Sequence, residues 1–97
     1  MTQVVILRTR SGEDVIGFLD QEQDGVVQVS HPHVTYIDPA SSTLYMYPYC
    51  TLSSVIQYKF RSDDLLFVVE ARSDVSLKFI QLLASADVAS TPDRALH

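Results

Sequence analysis

Tryptophan is absent from these 97 residues, cysteine occurs once, glycine three times, and lysine plus arginine only seven times. Each scarcity excludes something. The lone Cys50 cannot build an internal disulfide framework, and it fits a reducing compartment. No glycine-rich phosphate loop and no nucleophile elbow can be found, so an enzyme is not expected. Seven basic residues against twelve acidic ones give a net charge of −5. That balance lacks the basic stripe on which phosphate contacts rest, so DNA is not an expected partner. Any anion site must be local, made by a few arginines or backbone amides. No apolar run approaches the ~18 residues of a membrane span, and no basic-then-apolar leader opens the chain. A soluble, cytoplasmic protein is expected, with no membrane partner.

What remains is apolar and extended. Apolar residues make up 46% of the chain, enough for one small core with some to spare for self-association. VVILRTR (4–10) is a β-branched strand that ends at a Ser11-Gly12 turn. EDVIGFLDQ (13–21) alternates, with Val15, Gly17 and Leu19 on one face and Ile16 and Phe18 on the other. Gly17 inside that strand marks a bend or a close backbone approach. Asp24-Gly25 signals a hairpin into VVQVS (26–30), and Pro32 should terminate or edge that strand. Val34 to Ile37 is a short extended piece before the DPASS loop. Residues 43–60, crowded with tyrosines, are extended again, with Pro48 implying an edge or a bulge, and 65–71 form the last strand.

The period then changes. In 73–89, Val75, Phe79, Leu82, Leu83 and Ala86 recur at three- and four-residue intervals, which predicts an amphipathic helix capped by Ser73 or Asp74. The polar tail 90–97 should fray. The expectation is a mainly β fold, a strongly bent five-stranded antiparallel barrel over 1–72 with a C-terminal α-helix over 73–89.

Two stretches carry a resemblance. Gly12, Gly17, Asp24 and the triplet Val27-Gln28-Val29 are similar to the first motif of Sm-like proteins, with glutamine at the family's asparagine. FRSDDLLFVV (60–69) resembles the second motif: Phe60, Arg61 and Asp63 match, while Ser62 replaces a glycine and Asp64 an asparagine. The chain looks most like a small, divergent bacteriophage-type member, whose location would be the host cytoplasm. The family's helix usually precedes the first strand; here it follows the last. The resemblance implies a homomeric ring of about five to seven subunits, closed by strand-edge pairing between segments 43–60 and 65–71. It also implies single-stranded RNA at the inner rim, with Gln28 reading a base edge and Arg61 and Asp63 holding the second loop. The stacking position falls near Val26, which has no π-face.

Plainer readings stand beside these. Arg61 pairing with Asp63 or Asp64 would simply close the turn. Tyr45, Tyr47 and Tyr49 alternate, so they share one strand face, suited to packing on a neighbouring subunit or on the helix. With Phe67 and Val69 they form the expected oligomer interface. His31 and His33 also share a face, but two ligands with Cys50 far along the chain are too few for a metal, and no cofactor is expected. Two functions follow: an RNA-binding ring, or a scaffold ring that has lost the nucleotide pocket.

Overall fold

A computed structural model describes residues 3–50 and 52–89, in which six strands precede one helix. They are β1 (Gln3–Thr9), β2 (Asp14–Gln23), β3 (Val26–Asp38), β4 (Thr43–Pro48), β5 (Gln57–Arg61), β6 (Leu65–Glu70) and α1 (Ser73–Ala89). The tail, 90–97, lies outside the described residues. The helix has the extent that its apolar period predicts. The Asp24-Gly25 signal also becomes the expected two-residue hairpin, with φ of 55° and 76° at its two positions, the left-handed pair that such a turn needs.

The sheet is antiparallel, in the order β4-β3-β2-β1-β6, and β5 pairs with β3 off that path. β3 is therefore shared. Its first half, Val26–Ser30, pairs with β5, and its second half, His33–Asp38, pairs with β4. Segment 43–60, expected as one strand, is thus two: β4 ends at Pro48 and β5 begins at Gln57.

Pro32 does not end β3. It lies buried inside the strand, at the point where β3 exchanges β5 for β4. The register explains why it is tolerated: Ile16 faces His33 and Phe18 faces Ser30, so His31 and Pro32 form a bulge opposite Gly17. His31 takes φ of 53° there and donates its N–H to the Ile56 carbonyl (2.8 Å), while the Pro32 carbonyl accepts from Tyr49 N–H (2.9 Å). Gly17 is the close approach that its place in a strand suggests. A Cβ on it would come within 3.1 Å of the Ser30 carbonyl oxygen.

The strip of strands curls but does not close into the expected barrel by hydrogen bonds. Among the described residues, β4 and β5 form one free edge and β6 the other. A single 3-10 turn, Ser62–Asp64, carries the chain from β5 to β6. It is fastened on both sides, by Ser62 N–H to Gly25 O (2.8 Å) and by Arg10 N–H to Asp64 O (3.0 Å).

Alternation within the strands builds two apolar layers. Val5, Leu7, Val15, Val27 and Val29 fill the inside of the curl, with Leu19, Phe60, Leu65 and Val68 against them. On the opposite face, Val4, Ile16, Ala71 and Phe79 pack with Phe18, Met46, Val75 and Leu83. Strand β1 reads as an unbroken apolar run because both its faces are covered. Helix α1 covers the second face through Phe79, which is wholly buried with its ring centroid 5.2 Å from that of Phe18. At the start of α1, Arg72 grips the Asp74 carboxylate with two bonds (3.0 and 2.8 Å), which holds that carboxyl below its usual range.

Candidate functional site

The site begins where the two motif loops meet. The Ser62 N–H bond to Gly25 O ties the β2–β3 hairpin tip to the turn that follows β5. Behind this contact the register is fixed across three strands. Gln21 of β2 faces Gln28 of β3, which faces Lys59 of β5; one step nearer the tip, Gln23 faces Val26, which faces Arg61. Val27 and Val29 point into the core, 1% and 0% exposed, so Gln28 between them points outward, as the triplet implies.

These side chains surround a shallow concavity of about 210 Å³ lined by Gln21, Gln23, Asp24, Val26, Gln28 and Lys59. Arg61 is not among them. Its guanidinium stands 3.9 Å from the Asp63 carboxylate, with 76% and 87% of the two side chains exposed. An ion pair this long and this wet is worth little. The turn is instead braced by Arg10, whose Nε donates to the Asp63 carbonyl while its backbone N–H serves Asp64. Gln28, Arg61 and Asp63 thus lie in one region, but Gln28 meets Lys59 rather than Arg61. The sequence reading missed Arg10 and Lys59. For Lys59 a signal existed, since it stands two residues before Arg61 and so shares its strand face.

The tyrosine row is shorter than expected. Tyr45 and Tyr47 lie on β4 and are about half exposed, and Tyr45 stacks on Tyr36 of β3 with centroids 6.5 Å apart. Tyr49 falls beyond the end of β4 and turns inward, against Tyr58 (5.9 Å) and Phe60 (5.4 Å). Burial pushes its phenol pKa up. At the other free edge, Phe67 and Val69 are 39% and 47% exposed, with the Arg8 guanidinium 5.3 Å from the Phe67 ring centre. They line a groove of about 740 Å³ together with Ile6, Ile37, Leu44 and Val75. Both free edges of the sheet therefore carry exposed apolar side chains.

The histidines are engaged otherwise. His33 Nδ1 donates to the His31 carbonyl (2.8 Å) and its ring meets Phe79 edge-on, while His31 meets Phe18. Desolvation against the helix lowers the His33 pKa. Among the described residues no three His, Cys, Asp or Glu side chains converge as metal ligands would. No protein-family model matches this chain, and no curated protein matches it.

Proposed function

We propose that this chain is the subunit of an Sm-like homomeric ring that holds single-stranded RNA on the polar face beside its hairpin tip. The observation that carries this reading is the junction of the two motif loops through Ser62 and Gly25, with Gln28 facing outward next to it. Two motifs separated by thirty-odd residues in the chain resemble one family's bipartite site, and they meet in space. The sheet supports the assembly half of the proposal. Among the described residues it has two unpaired edges with exposed apolar residues, Tyr45 and Tyr47 on one and Phe67 and Val69 on the other. Unpaired edges of this kind are satisfied by strand addition, and a head-to-tail addition that closes makes a ring.

One observation favours a second reading, a scaffold ring without nucleotide binding. Asp24, Asp63 and Asp64 crowd the junction, and the motif arginine is turned toward Asp63 rather than toward Gln28. Sedimentation of the protein with and without short U-rich and A-rich RNA separates the readings. A discrete ring that binds RNA at low salt supports the first. A discrete ring that binds neither RNA supports the scaffold, and a monomer overturns both.

A further inference from the structure

Charge is spread unevenly along this chain. Charged residues make up 20% of it, yet the run 39–58 contains none. That run supplies β4 and the connection that separates β4 from β5 on one free edge. The connection holds apolar side chains out in water: Leu52 is 96% exposed, and Val55 and Ile56 are more than half exposed. It is not slack. Tyr49 N–H donates to the Pro32 carbonyl, Val55 N–H to the Ser53 hydroxyl (3.0 Å), and His31 N–H to the Ile56 carbonyl. Leu52, Val55 and Ile56 belong to neither apolar layer of the subunit, so the fold makes no use of them.

The other free edge has a counterpart. Where β6 ends, α1 carries Leu77 and Ile80 on a flank turned away from Phe79, both about half exposed. With Ala71, Ser73 and Ser76 they line a shallow concavity of about 550 Å³ whose one charged lining residue is Glu70. The opposite flank of the helix, toward the 740 Å³ groove, carries Asp74 and Lys78. A helix that served only to cover the sheet would put charge on both flanks. Each uncharged patch adjoins a different free edge, so each extends one of the two edges that strand addition would join. Copies of a chain with net charge −5 repel one another, and they meet least repulsion where neither surface is charged. The shapes agree too, a protruding tip against a concavity.

We infer that the connection between β4 and β5 of one copy seats Leu52 in the concavity formed by Ala71, Leu77 and Ile80 of the next copy, a contact additional to strand pairing. The inference rests on the ring reading above and goes beyond it, because neither element belongs to the motifs or to the paired strands. Every copy gives one tip and receives one, so the contact is head-to-tail like the edge pairing itself. Tip and concavity are both held in shape before copies meet, which keeps the entropy cost of joining them small.

The test is a charge exchange in the full chain, read by sedimentation over a dilution series, with urea added where the wild-type ring resists dilution. Leu52→Lys and Ile80→Glu each put an unpaired charge into the contact and should raise the concentration of half-dissociation about tenfold or more. The double variant sets Lys against Glu in every contact. It should recover most of the loss at low salt and forfeit that recovery at high salt. Leu77→Glu with Leu52→Lys repeats the exchange if far-UV circular dichroism shows that Ile80→Glu disturbs the helix. Single variants as resistant to dissociation as the wild type leave the ring standing and overturn the inference, and a loss in only one of the two surfaces does the same. Losses that add in the double variants without recovery place the surfaces in separate contacts and also overturn it. A wild-type monomer removes the ring reading and this contact with it.

Discussion

The imidazole of His33 stands edge-on to the Phe79 ring, with centroids 5.6 Å apart, so a titratable group lies in the seam between sheet and helix. Its Nδ1 proton is committed to the His31 carbonyl, and desolvation against the helix lowers its pKa below the ordinary value of 6.5. The folded protein therefore resists taking a proton that the unfolded chain accepts. Stability from this group is present above the ordinary histidine value and is lost as pH falls through it. The midpoint of denaturant unfolding should drop between about pH 7 and pH 5. His33→Gln should flatten that dependence, and an unchanged pH profile in the variant would place the titration elsewhere.

Phe79 itself is the helix's anchor. Its side chain is wholly buried against Phe18 and His33. Phe79→Ala should cost about 3–5 kcal/mol in equilibrium unfolding, since it removes a large, wholly buried ring. A loss below about 1 kcal/mol would mean that the helix contributes little to the core.

The free edges make a prediction about size. If they pair as proposed, the wild type should sediment as one discrete species larger than a trimer. Val69→Lys together with Phe67→Lys should convert it to monomer, because each places a charge on an edge that strand addition would bury. Far-UV circular dichroism should stay the same in that variant. A wild-type monomer at micromolar concentration would remove the ring.

Arg61 and Arg10 should separate function from bracing. The exposed Arg61–Asp63 pair is long, so Arg61→Ala should change stability by less than about 1 kcal/mol. In an RNA-binding ring it should nonetheless weaken RNA affinity. Arg10→Ala deletes the side-chain bond to the Asp63 carbonyl and should cost about 1 kcal/mol or more. The opposite ranking would return the structural role to Arg61.

Much of this architecture was legible because it follows from local rules. The β-branched run of β1, the positive-φ pair Asp24-Gly25, the glycine at 17 and the three-and-four spacing around Phe79 each declare a conformation within a few residues. What was hidden depends on distant partners. Pro32 reads as a strand terminator, yet it sits in a bulge where two residues of β3 stand opposite Gly17, and Tyr49 uses its carbonyl. The break after Pro48 exists because β3 offers two separate stretches of partner. At the candidate site, Gln28 was found through a motif, but Lys59 faces it only through the β3–β5 register, and Arg10 reaches a carbonyl 53 residues away. Tyr49 failed for a related reason, since alternation predicts a face only while the strand continues.

The turn at Ser62–Asp64 has a geometric consequence. The two free edges of the sheet are separated along the chain by three residues, held at one end by Gly25 and at the other by Arg10. The angle between those edges is therefore set inside a single chain, before any neighbour arrives. If copies pair edge to edge as proposed, that short clasp sets the rotation between neighbours, and lengthening it by a residue should change the size of the assembly.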